Sequence, residues 1–201
     1  MDIATFENWP VKYARHQSLV SLIGSLPISS FDSYLNDDNT LEYINQELLR
    51  YVGELPIVES RVRSILFTIA TLSEQKFRLF FHRLSVLASQ DYILGIYEAE
   101  KLVPIANWCE SKDVFQLLGK VRVQKFIDLD CYPDTVPERM EFLSKELLNC
   151  AHSIMPKPFL RRMFLFQGKD ADYQPDIVEM TKEQLEGFWS LIVIGFEAKL
   201  I

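Results

Sequence analysis

Glycine is scarce in this chain: 7 of 201 residues, with no glycine-rich loop of the kind that cradles a phosphate. The P-loop, G-x-G-x-x-G, G-x-S-x-G, H-E-x-x-H and EF-hand patterns are all missing, so the usual sequence signatures of nucleotide, hydrolase and metal chemistry are absent. Cysteine is rare too. Cys109, Cys131 and Cys150 are odd in number, widely spaced and form no C-x-x-C pair, which fits reduced core thiols better than a disulfide framework or a zinc site. The 3 histidines, His16, His82 and His152, never fall one helical turn from each other or from a cysteine. Basic residues are in deficit, 21 against 28 acidic, and a net charge of −7 lacks the cationic excess a general nucleic-acid binder needs to displace counterions. The most apolar stretch, FWSLIVIGF at 188–196, is far shorter than the about 20 residues that span a bilayer. The opening MDIATFENWP has no basic n-region, so no secretory signal is expected; the expected location is cytoplasmic, with any membrane association made through a partner.

What the chain does have is the composition of an ordinary folded protein, 48% hydrophobic and 24% charged. Its apolar residues recur at three- and four-residue intervals, predicting an all-α fold: a compact irregular array of about seven to nine helices. The reading is one helical domain over residues 1–201, with a sub-lobe boundary near 128–137, where DLDCYPDTVPE is the clearest loop. TLEYINQELLRYV predicts a helix capped by Asp38 or Asn39 and stopped by Gly53, and another follows from about Val58. Ser73 caps a helix with a thick stripe of Phe77, Phe80, Phe81, Leu84 and Leu87. A helix from about Asp91 meets Pro104, which kinks or restarts it, and Ser111 caps the next. Met140, Leu143, Leu147 and Ala151 share one face of a helix that ends near Met155, ahead of Pro156. Thr181 and Gln184 form a capping box for a last helix, apolar around much of its circumference, that is either buried or docks on another protein.

Charge is unevenly spread. Residues 1–60 carry 3 basic and 9 acidic side chains, residues 61–126 carry 10 and 6, and residues 127–201 carry 8 and 13. Lys120, Arg122 and Lys125 form a basic patch in the middle third, read either as a solvated helix face or as a contact for an acidic protein. Carboxylate pairs such as Glu138 with Glu141 sit where a helix dipole favours them and need no acid–base role. A thiol enzyme would need a pair such as Cys109 with His82, but three residues of each type offer such pairings by chance.

Three segments in order carry a family resemblance. PVKYARHQSL provides Pro10, Tyr13, His16 and Leu19; RLSVLASQDYILGIY provides an apolar middle helix; MPKPFLRRMFLFQGKDADYQ provides a proline turn, Arg162 and Leu165, then a polar loop. Together they resemble the SctK-type accessory proteins of the bacterial type III secretion sorting platform. There are three departures: His16 falls one place late, Ser85 stands where glycine is usual, and Gln167-Gly168 replaces Leu-Pro. The resemblance implies a non-enzymatic cytoplasmic adaptor without cofactor or metal. It would link the cytoplasmic domain of the inner-membrane ring protein (SctD-type) to the pod protein (SctQ-type), with no nucleic acid and no membrane insertion. On that reading Lys120, Arg122 and Lys125 serve one partner, and Asp37, Asp38 and Glu42 the other. Arg162, at the family position, is expected to lay its stem on the core and pair its head with a carboxylate or a helix carboxyl end, leaving Arg161 in water. The alternatives are a helical secretion chaperone or regulator holding an apolar client segment, and a small thiol enzyme.

Overall fold

The computed structural model describes residues 1–23, 36–111, 113–123, 135–170 and 173–201. Among these the chain is all-helical, with no strand. The helices are α1 (Ile3–Asn8), α2 (His16–Ile23), α3 (Asp38–Val52), α4 (Ser60–Ala70), α5 (Glu74–Ala88), α6 (Gln90–Leu94), α7 (Ala99–Trp108), α8 (Asp113–Leu117), α9 (Val136–Ile154), α10 (Lys157–Gln167) and α11 (Lys182–Glu197), with a 3-10 turn at Pro10–Lys12. Eleven described α-helices exceed the expected seven to nine. The surplus comes from helices such as α1, α6 and α8, of 6, 5 and 5 residues, which are less than two turns long and cannot display a helical period.

Contacts divide the chain into two units, Met1–Ser73 with Met155–Gln174, and Glu74–Ile154 with Pro175–Ile201. Thr135 onward to Ile154 lies in the second unit, and the rest of the expected boundary at 128–137 falls outside the described residues.

In the first unit α10 packs on α2, α3 and α4. Val11, Leu19, Ile44, Leu48, Val52 and Leu165 form a buried cluster, so the one-face apolar pattern of α3 is what this packing uses. Helix α3 is capped by Asp37, one residue earlier than the expected Asp38: Thr40 N donates to the Asp37 carboxylate at 2.9 Å and Thr40 Oγ1 at 2.5 Å. Helix α4 begins at Ser60, two residues beyond the expected start. Gly168 ends α10 in the left-handed region at φ 78°, with Lys169 N donating to Phe164 O at 2.9 Å to close the last turn. A Cβ there would lie 2.8 Å from Cδ of the flexible Arg15 side chain, so it is chiefly the left-handed backbone that favours glycine at this position.

In the second unit α5 packs against α8, α9 and α11. Phe80, Phe81, Leu84 and Leu87 of α5 are wholly buried, as the stripe predicts. The Thr181–Gln184 capping box forms, and α11 starts at Lys182. Its Phe188, Leu191 and Ile192 are buried, while Trp189, Val193 and Phe196 are half-buried and Leu185 is exposed, so only one face of the expected apolar cylinder is interior. Pro104 neither ends nor restarts a helix; it sits inside α7, and the break falls earlier, between Leu94 and Ala99. The carbonyl that proline leaves without a backbone donor belongs to Glu100, an exposed residue.

Candidate functional site

Of the six residues expected at partner contacts, the structure places five. Asp37, Asp38 and Glu42 lie exposed at the start of α3 in the first unit. The Asp37 carboxylate is held below the usual range, first by the Thr40 hydroxyl and then by the Thr40 amide, so it is engaged as a helix cap. Asp38 and Glu42, one turn apart, remain outward. In the second unit Gly119, at φ 73°, turns the chain out of α8, and its N–H donates to Gln90 Oε1 of α6 at 3.4 Å. Lys120 and Arg122 project from this turn into solvent. Lys125 lies outside the described residues.

The same helix α6 borders a groove that sequence reasoning did not find. It holds about 530 Å³ between the α6–α7 link, α7 and the start of α9, with Tyr92, Tyr97, Pro104, Val136 and Pro137 among its walls. A smaller hollow of about 200 Å³ adjoins it at Pro104 and Pro137, and is lined by Ile105, Trp108, Met140 and Glu141. Two devices stiffen the walls. The Arg139 guanidinium lies 4.2 Å from the Tyr92 ring centroid, and the His82 ring stacks behind Trp108 at 4.0 Å and 15°. His82 Nδ1 lies 3.3 Å from the Trp108 carbonyl, which can only accept, so the proton sits on Nδ1. Burial lowers the His82 pKa, favouring the neutral ring, with the Trp108 carbonyl acting in the opposite sense. Tyr97 is 96% exposed beside this groove.

Of the Cys109–His82 pair, the thiol is engaged with backbone carbonyls. Cys109 is buried, its Sγ–H donates to Ser111 O at 3.2 Å, and burial raises its pKa, all of which hold it as a thiol. Cys150 is pushed up to about 11, first by burial. Cys131 lies outside the described residues.

The adjacent arginines of α10 divide their labour. Arg162, 2% exposed, donates from Nε to Phe6 O (3.1 Å), from Nη1 to Gly53 O (2.9 Å) and Pro158 O (3.2 Å), and from Nη2 to Glu7 O (3.0 Å). Phe6 and Glu7 end α1 and Gly53 ends α3, so one guanidinium supplies donors to carbonyls that two helix termini leave open. Burial lowers its pKa, opposed by nearby Tyr13 and Glu7, and the group stays cationic. Tyr13 Oη donates to the same Phe6 carbonyl at 2.9 Å, and burial raises its phenol pKa. Arg161 is exposed, donating to Tyr51 O at 2.6 Å.

No described helix is long and apolar enough to cross a membrane, and no group of three or more potential metal ligands forms among the described residues. Comparison with protein-family models, with curated proteins and with solved structures finds no match to this chain.

Proposed function

We propose that this protein is a docking adaptor of the type III secretion sorting platform, joining the cytoplasmic domain of the inner-membrane ring protein to the pod protein and catalysing nothing itself. The observation that carries the reading is a convergence. Tyr13 and Arg162, from two segments of the family resemblance that are far apart in sequence, both donate to the Phe6 carbonyl. Arg15 N and Ser18 Oγ of the first segment bond Leu165 O (2.9 Å) and Lys169 O (2.6 Å) of the last. The family positions thus have a shared structural task, that of holding a rigid frame. An adaptor needs such a frame and two outward surfaces, for which Asp38 with Glu42 in one unit and Lys120 with Arg122 in the other are the candidates.

The test is copurification of the tagged chain from a cell producing the secretion apparatus. Ring and pod proteins are expected to accompany it; Asp38→Lys with Glu42→Lys should lose one of them, and Lys120→Glu with Arg122→Glu the other. Recovery of a secreted effector in place of both would favour the second reading, a chaperone or regulator, which the apolar groove at Pro104 and Pro137 recommends.

A further inference from the structure

We infer that the groove beside α7 receives an amphipathic helix of another protein whose apolar face is flanked by lysine or arginine. The inference is independent of the sorting-platform reading, since it rests on the chemistry of the groove alone.

The walls supply apolar and aromatic surface, and four charged residues line the groove and its adjoining hollow: Glu98, Glu100, Lys101 and Glu141. Lys101 is occupied by Glu98 at 2.8 Å. Glu100 and Glu141 are exposed and have no salt bridge among the described residues, and with Glu98 they outnumber the cations beside the groove, Lys101 and the Arg139 stacked on Tyr92, so the rim is acidic. Charged groups at the edge of an interface set which partner is accepted, so the ligand that fits this rim carries cations beside its apolar anchors. A second copy of this chain is a poor occupant, because its net charge of −7 opposes self-association and its exposed basic pair, Lys120 and Arg122, sits on a turn and not on a helix. The exposed ring of Tyr97 adds an anchor of the residue type enriched at binding hot spots. A groove with apolar walls suits a helix that seats residues spaced by one turn, and the stacked pairs Arg139–Tyr92 and His82–Trp108 hold the walls ready for it.

The test uses fluorescent synthetic peptides of about eighteen residues, long enough for five helical turns. Each carries leucines on one face, with lysine elsewhere in one peptide and glutamate in the other. Anisotropy titrations with the full-length protein should show saturable binding of the lysine peptide and about tenfold or weaker binding of the glutamate peptide. Tyr97→Ala should weaken the lysine peptide by about tenfold. Glu100→Lys with Glu141→Lys should reverse the preference. All three positions are exposed, so the variants are expected to keep the wild-type circular dichroism. Equal affinity for the two peptides, no saturable binding of either, or a preference unmoved by the double charge reversal would overturn the inference. A dimer in sedimentation that Tyr97→Ala dissolves would assign the groove to a second copy and overturn it as well.

Discussion

At the scale of single residues, the protein is held by arginines used as helix terminators. Arg162 supplies four hydrogen bonds to carbonyls in the first unit. In the second, Arg83 donates to Cys109 O at 3.1 Å, where α7 ends, and to Leu200 O at 2.7 Å, beyond α11. Burying a guanidinium is costly unless every donor finds a partner, and removing one member of such an arrangement strands the others. Arg162→Met should therefore destabilise the protein by about 3–5 kcal/mol, measured as a lower urea midpoint. Arg161→Ala, removing an exposed side chain with one carbonyl bond and a contact on the Tyr51 ring, should cost about 0.5–1 kcal/mol. Lysine at 162 is no substitute, because a point charge cannot reach carbonyls spread around a planar fork. The roles of the two arginines were legible in the sequence, since adjacent helical residues point about 100° apart and only one can face inward. Three of the four carbonyls that Arg162 meets were not, since Phe6, Glu7 and Gly53 lie more than a hundred residues away in sequence.

At the scale of elements, the close approach of α11 to α5 depends on a residue with no side chain. A Cβ at Gly195 would sit 2.5 Å from Leu84 Cδ2 and 3.0 Å from Phe80 Cε2, and both neighbours are wholly buried. Two effects compete in Gly195→Ala. Alanine gains about 1 kcal/mol of helix propensity, while overpacking costs about 1–3 kcal/mol. With a contact so short against a wholly buried Leu84, the second should win, giving a net loss of up to about 2 kcal/mol in a denaturant titration. Long amphipathic elements were readable in advance: α3, α9 and α11 each repeat their apolar residues over several turns and carry a recognisable cap or stop. The groove was not. It is built from the ends of short elements, from an exposed link and from prolines 104 and 137, and no periodicity encodes what lies beside such pieces after folding. Pro104 in particular suggested a break, yet it lies inside α7, where its missing donor falls on the carbonyl of the exposed Glu100 near the start of the helix.

At the scale of the whole molecule, neither unit is a continuous stretch of chain; the polypeptide passes from one to the other after Ser73, after Ile154 and after Gln174. A chain ended at Gln174 would keep every segment of the first unit and lose α11 from the second. The second unit would forfeit the burial of Phe188, Leu191 and Ile192, at about 1.5–3 kcal/mol each, which together rival the entire stability of a small domain. Hydrogen exchange of the shortened protein should then show lost protection in α5 and α9 and retained protection in α3, α4 and α10. Uniform loss would mean that the two units unfold together.

The same crossings govern how the protein emerges during synthesis. About a hundred residues separate Ser73 from Gln174, on the order of 5–20 s of translation, and throughout that wait Leu48, Val52 and Leu19 lack the strip of α10 that covers them. The other half fares no better until its own final helix leaves the ribosome. Nascent chains of this protein therefore spend much of their synthesis with greasy faces open to solvent, and a holdase that shields them until Pro175–Ile201 has been made should raise the yield of native molecules more than one that acts later.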